Sequence, residues 1–176
     1  SDNETLLYWP VYDTWSHYLE GSLFIEFKIH SLGEWLKNTP FYTTTQNLIK
    51  QGYGVDFISD NFIAQAQVVD GKIALPGGTF KSLIVPPSEK MPLATLEKLI
   101  ALKKAGGKII FEGLPSSVPG YFEYENQNKQ MIALLDANKE ILQPTSDISK
   151  ALAEAKVYPE KLIETGLKYI RRDSNG

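Results

Sequence analysis

The chain of 176 residues contains no cysteine. That removes disulfides, thiolate metal sites and cysteine nucleophiles together, and leaves the redox compartment open. Histidine is scarce: only His17 and His30 are present, thirteen residues apart, which matches no metal-ligand pattern. Net charge is only −3, and the basic residues are scattered into pairs such as Lys103-Lys104 and Arg171-Arg172. Binding driven by phosphate neutralisation is therefore not expected, and nucleic acid is excluded as a partner. No apolar run approaches the roughly 20 residues of a membrane span, so no membrane partner is expected. No Gly-rich loop follows the first strand-like segment, where Pro10 stands instead. An FMN or other phosphate cradle at that point is excluded, and no cofactor is expected.

What is present is enough apolar sequence for one core, 43% of residues. Four short segments read as buried parallel strands: 6–9, 55–58, 83–85 and 108–111. Each is rich in branched or aromatic residues and bounded by Pro, Gly or Asp. The clearest helix spans 92–105, with Pro92 in its first turn, Lys103 and Lys104 at its end and Gly106-Gly107 after it. Further helices are expected at 41–51, 61–69, 127–137 and 147–155, with a short one at 159–165. Residues 73–75 and 80–85, divided by Pro76-Gly77-Gly78, suggest a small hairpin. Residues 23–30 alternate apolar and polar like a half-buried strand and read as an insertion. The fold class expected is α/β: one domain over 1–176, an open, mostly parallel, flavodoxin-like sheet of strand order 2-1-3-4 with helices on both faces.

In such sheets ligands sit beyond the carboxyl ends of the strands. The loops there begin at Pro10, Ser59, Pro86 and Glu112. The third strand ends in Pro86-Pro87, not in the aspartate of a phospho-receiver. Ser116 and Ser117 lie in a proline-flanked loop that lacks the Gly-x-Ser-x-Gly turn of a serine hydrolase. Carboxylates are the remaining chemistry. Asp13 and Glu112 lie just past two strands separated by one other, about 10 Å apart from the ~4.8 Å strand spacing. Inverting glycosidases hold their carboxyls roughly 6.5–9.5 Å apart. The plainer expectation is that Asp13 caps a turn and Glu112 pairs with a neighbour. Asp60 lies beyond the second strand. Aromatic residues gather in and after the first loop, at Tyr12, Trp15 and Tyr18, where stacking on a sugar, an interface and plain packing are all consistent with the sequence. No catalytic or metal-binding residue is assigned. The candidate ligand or interdomain surface is Tyr12, Asp13, Trp15, His30, Asp60 and Glu112.

Several stretches in order carry a family resemblance: LLYWPVYDTW, EFKIHSLGEWL, FYTTTQNLIKQGYGVDFISD, SLIVPPSEKMPLATLEKLIALKKAGGKIIFEGLPSSVPG and GLKYIRRDSNG. Together they resemble the flavodoxin-like, amidotransferase-like region of the large α-L-rhamnosidase-type enzymes of glycoside hydrolase family 106. A looser similarity exists to the amidotransferase-like domain of some β-galactosidases. The resemblance implies an accessory domain of a long multidomain hydrolase acting on rhamnose-containing polysaccharides. The catalytic carboxylates would lie on a barrel outside this chain, and none maps onto it. It also implies that the partners are other parts of the parent chain and carbohydrate, and that the parent is periplasmic or extracellular. Residues 166–176 read as a strand and an Asn-Gly turn interrupted at a domain junction, with 171–176 expected to pack weakly.

Overall fold

The computed structural model describes residues 2–16, 32–167 and 169. The expected insertion strand at 23–30, His17, Tyr18, His30 and the segment 171–176 lie outside the described residues.

Four parallel strands form the central sheet: β1 (Thr5–Tyr8), β2 (Val55–Ile58), β6 (Ser82–Val85) and β7 (Ile109–Phe111), in the order β2-β1-β6-β7. This is the expected 2-1-3-4 order once the strands are counted within this sheet. The strands are short and β-branched or aromatic because both faces are covered. Alternate side chains supply two cores. Leu6, Tyr8, Leu83, Val85, Ile109 and Phe111 pack on one face with α4 (Asp60–Gln65), α5 (Leu93–Lys104) and α6 (Tyr124–Ala137). Leu7, Ile84 and Ile110 pack on the other with α3 (Pro40–Lys50) and α7 (Ile148–Glu154). Two short helices, α1 (Val11–Ser16) and α2 (Leu32–Trp35), and a final 3₁₀ turn (Lys161–Thr165) complete the described helices.

Local sequence explains the helices. Thr39 caps α3, its Oγ1 accepting from Tyr42 N at 3.2 Å, and Pro40 opens the first turn. The Thr43-Thr44-Thr45 run, poor for a helix by propensity, is tolerated because each hydroxyl finds an acceptor. Thr45 Oγ1 donates to Phe41 O at 2.7 Å, Thr43 Oγ1 to Thr39 O at 3.4 Å, and Thr44 Oγ1 to a carboxylate described below. On the outer edge of β7, Lys103 Nζ donates to Ile109 O at 2.5 Å and Thr145 N to Phe111 O at 2.8 Å, so two carbonyls of the edge strand are satisfied. Burial, with Lys108 nearby, holds the Lys103 ammonium below its usual range.

One segment departs from expectation. The helix expected at 61–69 ends at Gln65, and β3 (Gln67–Val69), β4 (Lys72–Leu75) and β5 (Gly78–Phe80) form a separate antiparallel sheet in that order. Asp70 and Gly71 both have positive φ, 51° and 73°, and make the two-residue hairpin turn joining β3 to β4. Asp70-Gly71 is thus a strand connection and not the end of a helix. The expected hairpin is the β4–β5 pair, and β6 belongs to the main sheet. Residues 10–15, expected as a loop, are largely the short helix α1.

Candidate functional site

The chain leaves β1 toward β2 on one side and returns to β6 on the other. The crevice at the carboxyl ends of β1 and β6 is therefore the topological switch point of the sheet, the usual ligand position in open α/β folds. Two loops form it: the turn through Pro10 into α1, and residues 86–91 after β6.

Asp13 ties these loops together. Its Oδ2 accepts from Glu89 N at 2.8 Å and its Oδ1 from Lys90 N at 2.6 Å, across 76 and 77 residues. The far side of the same loop is also held. Glu89 O accepts from Ser116 N and Ser117 N, both at 3.0 Å, and Met91 N donates to Ser117 O at 3.0 Å. The chain after β7 passes close over it: a Cβ on Gly113 would lie 3.0 Å from Pro87 Cα, so only glycine fits there without a shift.

Asp60 opens α4 and accepts from two hydroxyls, Tyr8 at 2.9 Å and Thr95 Oγ1 at 2.6 Å. Tyr8 is wholly buried. Burial first, and the Asp60 carboxylate second, push its phenol far above the ordinary tyrosine range. Glu112, directly after β7, accepts from Thr44 Oγ1 of α3 at 2.5 Å. Asp60 therefore faces the α5 side of the sheet and Glu112 the α3 side. Of the sequence candidates, the structure sets Asp13 and the Tyr12–Trp15 pair on α1, puts Asp60 and Glu112 on opposite faces, and leaves His30 outside the described residues.

Two openings flank α1. The first is a cavity of about 340 Å³ at the switch point, lined by Pro10, Asp13, Thr14, Trp35, Phe41, Ser88 and Leu114, with Glu34, Asn38 and Glu89 among its other walls. Ser88 is only 8% exposed, and its Oγ has no hydrogen-bond partner among the described residues. The second is a wider groove of about 810 Å³ lined by Tyr12, Trp15, Lys90, Tyr121 and Tyr124. Tyr12 and Trp15 meet edge to face, with centroids 5.5 Å apart at 85°. Trp15 is 48% exposed, Tyr121 is 99% exposed, and Phe122, next to it in sequence, is 80% exposed.

Sequence reasoning did not single out Ser88, Tyr121, Phe122 or Tyr124. The signal for the aromatics was the run Tyr121-Phe122-Glu123-Tyr124 directly after Pro119-Gly120, where a turn leaves no core to bury three rings. Among the described residues no group of three or more His, Cys, Asp or Glu is placed to hold a metal ion, and no helix is long and apolar enough to cross a membrane.

Over 106 residues, 59% of the chain, the sequence is 34% identical to a Formosa agariphila protein named "Putative beta-glucuronidase". The matched stretch is 9% of that protein's length, so the chain corresponds to a small part of it. No protein-family model matches the chain, and no solved structure does so.

Proposed function

We propose that the chain is an accessory, non-catalytic α/β domain of a glycoside hydrolase, acting within a longer polypeptide. The observation that carries this reading is the similarity to a stretch making up 9% of a protein named for glycoside hydrolysis. The fate of the carboxylates supports it: Asp13, Asp60 and Glu112 each accept hydrogen bonds that hold loops and helices in place. The finer assignment, to the rhamnosidase-type enzymes of glycoside hydrolase family 106, rests on the sequence motifs above. The relative's name speaks of a glucuronide instead, and glycoside hydrolysis is the level the two share. Export of the parent to the periplasm or outside the cell belongs to the same reading.

Within the parent, the exposed rings of Trp15, Tyr121 and Phe122 form the surface that packs against a neighbouring domain. Exposed aromatics grouped at one end of a domain favour burial at an interface. A second reading is a carbohydrate-binding module using the groove around Tyr12 and Trp15, whose crossed rings offer a stacking platform. A small hydrolase using Asp13 and Glu112 is the reading the geometry favours least, because both carboxylates already serve structural donors. Assay of the 176-residue chain on aryl α-L-rhamnosides and aryl β-D-glucuronides tests the proposal. No turnover is expected, and turnover above the buffer rate overturns it.

A further inference from the structure

We propose that the switch-point cavity binds the ring of one neutral sugar, an assignment that rests on the glycoside-hydrolase reading and uses a site separate from the Tyr12–Trp15 groove. At about 340 Å³, the cavity lies at the lower end of the range for small-ligand sites. Its position at the β1/β6 switch point is the one this sheet type offers to ligands.

The lining selects the ligand class. Trp35 and Phe41 provide aromatic surface, and the Phe41 ring is braced by Trp9 at 6.0 Å and Phe57 at 5.2 Å. Aromatic surface suits the C–H faces of a sugar ring. Ser88 brings a hydroxyl that is buried, at 8% exposure, and has no partner among the described residues. A buried hydroxyl of this kind gains from a ligand hydroxyl, which both donates and accepts. Asn38 adds an amide at the rim, within reach of solvent.

Charge excludes the alternatives. Among the described residues no lysine or arginine lines the cavity, while Asp13, Glu34 and Glu89 do. A uronate or phosphate would enter beside carboxylates with no cation among the described lining residues to meet it. An organic cation finds little to hold it either. The Asp13 carboxylate already accepts two backbone N–H groups, Glu89 pairs with Lys90 Nζ at 3.7 Å, and Glu34 is exposed. What remains is a neutral, hydroxylated ring with one apolar face. The site thus discriminates against the acid sugar that the relative's name would suggest.

The test is a titration of the chain with L-rhamnose, D-galactose, D-glucuronate and choline chloride, followed by amide and indole NMR shifts. At least one neutral sugar is expected to saturate with Kd of about 1–10 mM, shifting Ser88 and the Trp35 indole, and D-glucuronate and choline are expected to bind at least about tenfold more weakly. Trp35→Ala should abolish binding, Ser88→Ala should weaken it about fivefold, and Asn38→Ala, on an exposed rim where folding is not at stake, should weaken it about threefold. Trp15→Ala, in the other groove, should leave it unchanged. The inference is overturned if no neutral sugar saturates, if glucuronate or choline binds as well, or if shifts map only to Trp15 and Tyr121. Absent binding with absent turnover removes this inference and leaves the accessory-domain reading standing, whereas turnover with neutral-sugar binding does the reverse.

Discussion

Two sets of side chains share the carboxyl end of the parallel sheet, and the fold treats them in opposite ways. Asp13, Asp60 and Glu112 are the groups with the most chemical potential, and each is occupied by donors from distant parts of the chain. Ser88, Trp15, Tyr121 and Phe122 are chemically quiet. Yet the first is buried with no hydrogen-bond partner among the described residues, Trp15 is about half exposed and Tyr121 and Phe122 are largely in solvent. The difference separates stability from recognition. Satisfied carboxylates hold the loops, while the less satisfied hydroxyl and the rings are what a ligand or neighbouring domain can still gain from. Loop positions past strand ends therefore do not by themselves identify catalytic acids.

That contrast can be broken most sharply at Asp13. Asp13→Ala leaves two loop N–H groups without their charged acceptor and should cost about 2–3 kcal/mol of stability in urea unfolding. Asp13→Asn should lose roughly half as much, about 1–1.5 kcal/mol, because its amide nitrogen cannot accept. A loss below about 0.5 kcal/mol would free the carboxylate for another role.

Asp60→Ala comes next, at about 2 kcal/mol, because the buried Tyr8 hydroxyl loses its acceptor. The same pair gives a pH signature. Tyr8 keeps its proton in the folded state well above the ordinary value of 10.0, at which the unfolded chain releases it. The unfolded state then binds fewer protons than the folded state, so stability should fall as pH rises above 10.0. Tyr8→Phe should lack that part of the alkaline slope, as read from urea midpoints on either side of pH 10.0.

Glu112→Gln should cost under about 1 kcal/mol, since a neutral amide oxygen can still accept from Thr44. The smallest effects are expected on the other side of the comparison. Trp15→Ser and Tyr121→Ser should each shift stability by no more than about 0.5 kcal/mol. A large loss at either would place the ring in this domain's own packing.

The parallel sheet was legible because four short segments rich in branched or aromatic residues stood between Pro, Gly and Asp. The helix over Leu93–Lys104 was equally plain, with Pro92 before it and Gly106-Gly107 after it. The antiparallel sheet was not legible in full. Gln67–Val69 is too short to show a period of two, and it follows α4 with only Ala66 between. The positive φ of Asp70, which makes the turn, is a tertiary outcome. At the site, strand ends located the loops correctly. The partners were out of reach, because Asp13 meets backbone amides 76 and 77 residues away and Glu112 meets a hydroxyl 68 residues away. Ser88 carried no signal at all, since nothing in a Pro-Pro-Ser-Glu run says which side chain will be enclosed.

The central claim is that the strand-end carboxylates support structure and perform no hydrolysis in this chain. Its most direct test measures aryl glycoside turnover and melting temperature together, on wild type, Asp13→Asn and Glu112→Gln. The account predicts no turnover in any of the three and differences confined to the melting temperature, larger for Asp13→Asn. Turnover by the wild type that either substitution abolishes, with the melting temperature unchanged, would contradict it.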